Sequence, residues 1–311
     1  MRIPRIHTPE LLAPGEHTLT GNAAHHAGTV LRMNAGDRLV LFNGDGLDYP
    51  AQITEAGRKR LMVLIESPYD PGTESALSIT LGQVMSRGER MDYAIQKATE
   101  MGVTVIQPLE SARCEVRLNP ERERKRLKNW QQVAISAAEQ SGRARIPTIH
   151  APAKLGDWLA GCHTDVRLVL HHEGQPPGRQ AVTPASIALL IGPEGGLDED
   201  ELSAAANAGF APLALGPRVL RTETAPVAAI GLCQWLWGDF QDVMEEPEGI
   251  IRHMGLFFVR LTNRFDKPLE LFRGRGGTHF VLELIKADPP GTLRSTMLAS
   301  ELIKASLKRF P

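Results

Sequence analysis

Apolar and polar positions follow two different rhythms along this chain of 311 residues. In residues 1–72 the apolar runs are short and closely spaced: Val30-Leu31, Leu39 to Phe42, Ala51 to Ile53 and Leu61 to Ile65. Each reads as a strand. Asn43-Gly44 and Asp45-Gly46 are hairpin signals, because these residues tolerate the positive φ of tight turns. The same four residues resemble a glycine-rich nucleotide loop, but no helical pattern follows them, so a hairpin is expected. Tyr69 to Ser75 reads as a linker.

Beyond it, strands alternate with helices, which implies a largely parallel sheet. Ile79 to Met85 is strand-like. Ser86 is expected to cap a helix, with Glu89 at the capping-box position. Met91, Ala94, Ile95, Ala98 and Met101 form its apolar stripe, and Gly102 closes it. Val103 to Pro108 is the next strand. Asn119-Pro120 then opens a long helix with Leu127, Trp130, Ala134, Ala137 and Ala138 facing inward. Arg122, Arg124, Lys125, Arg126 and Lys128 make its first half basic, against the helix dipole. Two readings stay open there, a binding role and a merely solvated face. Glu139 to Arg145 reads as a substrate-facing loop. Val166 to Leu170 is a buried strand with His171 and His172 at its exit; without a third ligand they make no metal site. Glu173 to Pro184 reads as a loop, and Thr224 to Trp237 as an apolar helix.

After Gln241 the character changes. Met244 to Gly249 is linker-like, Met254 to Leu261 and His279 to Ile285 are expected strands, and Ser295 to Phe310 an amphipathic helix. No chemical motif stands in this segment.

Candidate chemistry concentrates in Ile191-Gly192-Pro193-Glu194-Gly195-Gly196-Leu197 and its echo, Leu215-Gly216-Pro217-Arg218-Val219-Leu220-Arg221-Thr222-Glu223. Each follows a buried strand, Ile187 to Ile191 and Ala211 to Leu215, and each runs into a helix. Asp198 and Glu201 have capping-box spacing, Leu197 and Leu202 that of a hydrophobic staple. Pro226 lacks an N–H and belongs in a first helical turn, so the second helix starts near Thr222 to Thr224. Glycine lets a ligand approach the main chain closely. Such loops at the ends of parallel strands are where open α/β sheets bind ligands. A phosphate cradle is the obvious alternative. The crowd of Glu194, Asp198, Glu199, Asp200 and Glu201 argues against it and for a neutral or cationic ligand such as S-adenosylmethionine.

Composition narrows the field further. The formal net charge of −1 shows no global nucleic-acid signature, so any such role must lie in local basic patches. Arg2, Arg5, Arg32 and Arg38, with His25 and His26, make the N-terminal part a candidate RNA platform, though scattered solvated charges fit the spacing equally well. No apolar run reaches the length of a membrane helix and no signal peptide is evident. Cys114, Cys162 and Cys233 lack metal-ligand spacing and read as reduced thiols of a cytoplasmic protein. No G-x-G-x-x-G follows a first strand, which disfavours a dinucleotide oxidoreductase.

The motifs together resemble a known family. They are Met1 to Arg5, Leu31-Arg32-Met33 with Gly36, Leu81 to Glu89, Glu139-Gln140 with Gly142-Arg143, Leu189 to Leu197 and Leu215 to Thr224. The resemblance, over residues 1 to about 240, is to the RsmE family, bacterial methyltransferases acting on uridine N3 in 16S ribosomal RNA. It implies an α/β fold in which a PUA-like, RNA-binding β-barrel (1–72) precedes an α/β-knot methyltransferase domain (73–240). That domain carries a trefoil knot of the SPOUT type. Family members normally stop near Asp239-Phe240, so 241–311 is expected to be a C-terminal extension of unknown role. It also implies a homodimer, S-adenosylmethionine as cofactor, 16S rRNA of the small subunit as partner, and neither membrane nor metal.

Carried onto this chain, cofactor binding falls to Leu170, His171, Ile191, Gly192, Glu194, Gly195, Gly196, Leu215, Gly216, Val219 and Leu220. Arg218 and Arg221 are expected to position the nucleotide or stabilise an imide anion. Glu223 and Glu139 are the general-base candidates; the alternative for each is an ion pair, Arg221–Glu223 or Glu139–Arg143. Arg2, Arg5, Arg32, Arg87, Arg90, Arg113 and Arg143 are the expected phosphate contacts. Two rivals stand beside this reading. One is a knotted methyltransferase of ribose 2′-hydroxyls or of transfer RNA; the other is a noncatalytic RNA-binding assembly factor.

Overall fold

The computed structural model describes residues 3–57, 60–175 and 183–241 and, beyond these, the course of three short strands. The N-terminal part runs β1 (Arg5–His7), β2 (Gly15–Leu19), α1 (Gly21–His25), β3 (Arg38–Phe42), β4 (Tyr49–Ala56) and β5 (Leu61–Ile65). These strands form a five-stranded sheet in the order β1-β3-β4-β5-β2. Only β1 pairs parallel, with β3; the other pairs are antiparallel. The turn from β3 to β4 is the expected hairpin, with Gly44 and Gly46 at φ +93 and +101 and Asn43 Oδ1 accepting the Asp45 N–H at 3.1 Å. Ile6, Leu19, Leu39, Leu41, Ile53, Leu61 and Val63 fill its core.

Val30-Leu31 is not a strand. A π-helical turn, His26–Val30, continues α1. Ala23, Ala24 and Ala27 are the buried positions, at helical spacing, while Val30 and Leu31 are exposed. Short strands β1 and β2 were not foreseen.

The larger part adds β6 (Ser78–Val84), α2 (Glu89–Glu100), β7 (Val105–Glu110), α3 (Pro120–Ser141), β8 (Thr148–Ile149), β9 (Ala153–Lys154) and α4 (Leu155–Gly161). It continues with β10 (Val166–Gln175), β11 (Ser186–Ile191), α5 (Glu199–Asn207), β12 (Ala211–Leu213) and α6 (Thr224–Trp237). The sheet is seven-stranded, in the order β12-β10-β11-β6-β7-β8 with β9 also on β7. Every pair is parallel. Strand β11 is buried from Ile187 to Ile191, as a central strand covered on both faces must be.

Helix ends follow local chemistry. Asn119 caps α3 by accepting the Arg122 N–H, Pro120 follows it, and Gly142 at φ +88 ends the helix. Asp198 and Glu201 close a complete capping box on α5. Ser86 does not cap α2. The N-cap is Gly88, whose φ of +66 suits glycine, and Ser86 is buried in the loop before it. The three cysteines are free and buried; burial pushes the Cys233 thiol up to about 12.

The two sheets are joined by buried polar links rather than a slack tether. Arg5 pairs with the Asp48 carboxylate and donates to the Arg143 carbonyl at 2.9 Å. Its guanidinium also lies 5.0 Å from the Phe42 ring centre. The His7 N–H donates to Glu139 Oε1 at 3.0 Å. Thr73, in the expected linker, donates to the Gly142 carbonyl at 3.0 Å.

Residues 243–311 form a separate compact unit with β13 (Phe257–Val259), β14 (Leu269–Arg273) and β15 (Phe280–Leu282) in one antiparallel sheet. Two of these lie inside the expected strands and β14 is new. The expected linker at 244–249 and helix at 295–310 lie outside the described residues.

Candidate functional site

Strands β6, β10, β11 and β12 run in the same direction, so their carboxyl ends share one edge of the sheet. The bends that leave β10, β11 and β12 there line a single cleft of about 650 Å³. All eleven residues expected to bind cofactor line it, from Leu170 and His171 through Ile191, Gly192, Glu194, Gly195 and Gly196 to Leu215, Gly216, Val219 and Leu220. Arg218, Arg221 and Glu223 line it too. Gly196 and Gly216 have φ of +69 and +81, the left-handed region that favours glycine. Strand β10 contributes through an irregularity: Leu170 and Gln175 both register with Leu213, so the chain between them bulges out and carries His171 and His172 to the cleft wall.

The two glycine bends are tied together by a side chain that sequence reasoning passed over. Thr222, buried after the second bend, donates its hydroxyl to the Gly192 carbonyl of the first at 3.1 Å. Gln83 on β6, also buried, donates in turn to the Thr222 oxygen at 3.2 Å. Thr222→Val keeps the shape and removes the hydroxyl, leaving the Gly192 carbonyl and the Gln83 amide without it. Denaturant unfolding should show a loss of about 1–3 kcal/mol, with Thr222→Ser recovering most of it. A valine variant as stable as the parent would mean that the tie contributes nothing.

The electrostatics differ from the sequence expectation. Arg90, Arg113, Arg218 and Arg221 line the cleft against Glu194 and Glu223, four cations to two carboxylates. Asp198, Glu199, Asp200 and Glu201 are absent from the wall. Asp198 and Glu201 spend their oxygens on the α5 cap, and Glu201 also accepts the Ala112 N–H at 2.6 Å. Glu194 is held by Arg90 at 2.7 Å, and this hydrogen bond raises the Arg90 pKa. Arg113 donates to the Gly195 carbonyl at 2.9 Å. Of the acidic crowd only Glu194, neutralised by Arg90, reaches the wall, which combines apolar side chains with a guanidinium rim.

Other expected site residues lie elsewhere. Glu139 is not on the cleft; it accepts from the His7 N–H and sits 3.8 Å from His26 Nδ1. It does not pair with Arg143, which holds Glu74 instead. Arg143 is 3% exposed and donates to the Thr99 and Val103 carbonyls, so it has no free donor face for a phosphate. Arg5 is likewise committed inside the protein. Arg32 is exposed with φ +54, and Arg87 is exposed and paired with Glu115 at 3.1 Å. Arg2 lies outside the described residues. Arg221 and Glu223 approach to 4.0 Å. Leu197, Leu202, Leu213 and His172 also line the cleft; the sequence reading gave none of them a part in cofactor binding. Among the described residues no group of three or more His, Cys, Asp or Glu could hold a metal.

Comparison with known proteins agrees with this arrangement. A family model for an RNA methyltransferase domain matches residues 73–234, and one for an RNA methyltransferase PUA domain matches residues 19–66. Ribosomal RNA small subunit methyltransferase E of Buchnera aphidicola (subsp. Acyrthosiphon pisum, strain APS) is 34% identical over 243 residues, 77% of this chain and 96% of that protein. The chain belongs to the RsmE family. The crystal structure of a ribosomal RNA small subunit methyltransferase E from Neisseria gonorrhoeae, bound to S-adenosylmethionine, is 39% identical. It has a TM-score of 0.73 and spans 77% of this chain and 100% of that one. A methyltransferase of Legionella pneumophila, solved with bound SAM, has the same identity and coverage and a TM-score of 0.75. The RsmE likeness thus spans both sheets. Among the described residues no helix is long and apolar enough to cross a membrane.

Proposed function

We propose that this chain is a cytoplasmic enzyme that methylates N3 of a uridine in 16S ribosomal RNA of the small ribosomal subunit, using S-adenosylmethionine. Membership in the RsmE family brings the cofactor and the ribosomal RNA substrate. The single observation that carries the site assignment is the convergence of three strand-exit bends on one cleft, tied by Thr222 to the Gly192 carbonyl at 3.1 Å.

The residues present fit the cofactor. The bends offer main-chain groups beside Gly192, Gly195, Gly196 and Gly216, and Leu170, Leu213, Leu215 and Leu220 offer apolar surface. When bound, S-adenosylmethionine supplies an electrophilic methyl group on a cationic sulfur. The main chain of the two glycine bends holds and orients it. Arg218 and Arg221, both exposed at the cleft, hold the nucleotide and stabilise negative charge on the imide. Uridine N3 must lose a proton, and Glu223 is the acceptor. N3 is engaged in pairing within a duplex, so the target base is unpaired or splayed out. Arg32, Arg87, Arg90 and Arg113 remain as phosphate contacts.

This reading includes the architecture expected of the family: a PUA-like barrel over 1–72, a trefoil-knotted SPOUT-type methyltransferase domain over 73–240 and an extension over 241–311. The two family-model matches support it. It also includes a homodimer, supported by exposed apolar side chains: Val219 on the cleft wall is 92% exposed, and Trp235 toward the far end of α6 and Phe240 after it are 56% and 45% exposed.

Calorimetry should detect S-adenosylmethionine binding in the micromolar range, about −6 to −8 kcal/mol. Nucleoside mass spectrometry of ribosomal RNA from cells lacking the gene should show loss of N3-methyluridine. Loss of a ribose-methylated or transfer-RNA nucleoside instead would move the activity to another substrate. RNA binding with no cofactor affinity would make the protein a noncatalytic assembly factor.

A further inference from the structure

We infer that the exposed basic half of α3 is a docking surface for the phosphate backbone of the substrate RNA beside the cleft, an inference that rests on the proposed function. Position comes first. Asn129 Nδ2 on α3 donates to Asp92 Oδ2 on α2 at 3.2 Å. At the far ends of the same helices, Arg143 Nη1 donates to the Thr99 carbonyl at 2.8 Å. The two helices therefore run in the same sense, with residue 129 level with residue 92. Helix α2 has three residues ahead of that level and α3 has nine. At 1.5 Å per residue, α3 projects about 9 Å farther. It projects past the end of α2 that carries Arg90, which lines the cleft and holds Glu194. The segment leading into α3 carries Arg113, also on the cleft wall.

Charge comes second. Arg122, Arg124 and Lys125 occupy this projection, Arg126 and Lys128 lie level with the first turn of α2, and all five are exposed. Among the described residues none of their side chains makes an ion pair or hydrogen bond. Arg38, Arg87, Arg90 and Lys97, also basic, each hold a carboxylate. Five cations in the opening turns of a helix oppose its dipole, and Glu121 and Glu123 in the same first turn offset only two of the five, so the excess positive charge repels itself. The occupant that relieves both is a polyanion. No large apolar side chain is exposed on this stretch, which disfavours a protein partner or a membrane surface and leaves an RNA strand, whose phosphates are read by point charges.

The test uses the full chain and small-subunit ribosomal RNA. Glutamine at all five positions keeps helix propensity and removes the charge. The salt dependence of RNA affinity should flatten by about 0.7–0.9 log units per lost phosphate contact. KM for RNA should rise at least tenfold, while kcat at saturating RNA and S-adenosylmethionine affinity stay at parental values. Lysine at Arg122, Arg124 and Arg126 should keep the parental slope. An unchanged slope and KM in the glutamine variant would overturn the surface and leave the helix merely solvated. So would unchanged RNA affinity with lost binding to the protein part of assembled subunits. If the parent neither binds S-adenosylmethionine nor methylates RNA, the functional reading itself fails, a result distinct from either.

Discussion

Glu223→Gln is expected to lower kcat by about 10²–10⁴-fold, the range for a positioned proton acceptor, while leaving S-adenosylmethionine affinity intact. The argument is one of availability. Two carboxylates line the cleft, Glu194 and Glu223. Glu194 is bound at 2.7 Å by Arg90, so its charge is already satisfied. Among the described residues Glu223 makes one ion pair, with Arg221 at 4.0 Å, and that arginine is itself 81% exposed; the Glu223 charge also acts on Arg90, without a hydrogen bond. Its side chain is 18% exposed and makes no capping bond on α6, although it stands at the N-cap. A half-sheltered carboxylate without a committed donor is free to take a proton. Single-turnover methylation with preformed cofactor complex checks this. Turnover equal to the parent would clear Glu223 of the role and leave it orienting Arg221.

Arg143→Met is expected to destabilise the protein by about 3 kcal/mol, read from urea unfolding. Breaking a buried pair by removing one partner costs about 3–5 kcal/mol. The lower figure applies because the Glu74 side chain is 20% exposed and water recovers part of its charge. Arg143 donates to Glu74 through Nε at 3.2 Å and Nη2 at 2.8 Å. It also satisfies the Thr99 and Val103 carbonyls at 2.8 and 2.9 Å, at the end of α2 and the start of β7. Against a typical stability of about 5–15 kcal/mol this is a large fraction. Replacing Glu74 as well, with methionine, should restore part of the loss, since the stranded charge is then gone. No change in the single variant would show that the guanidinium is not holding these elements together.

The comparison of these two residues shows what a sequence displays and what it conceals. Glu223 sits in a motif whose neighbours announce it: glycine bends after buried strands, a proline in the next first turn, helix α6 starting at Thr224 as expected. The Asp198–Glu201 box and the Asn119-Pro120 start were legible for the same reason, because each involves residues within three positions. Arg143 is different. Its partner Glu74 is 69 positions away, and nothing local distinguishes a buried guanidinium from one awaiting a phosphate. The Gln83–Thr222 bond spans 139 positions and was invisible likewise. The acidic run at 198–201 misled because composition shows charge but not direction; capping turns those oxygens onto the helix start. Ser86 had the right spacing for a cap, yet the positive φ available at Gly88 placed the start two residues later.

The links from Arg5 to Asp48 and to the Arg143 carbonyl, with His7 on Glu139, have a bearing on target choice. They weld the small sheet to the large one, so whatever RNA element the first grasps is offered to the second at one fixed offset. Such a molecule has the build of a caliper, its two jaws held a set distance apart by bonds inside the protein.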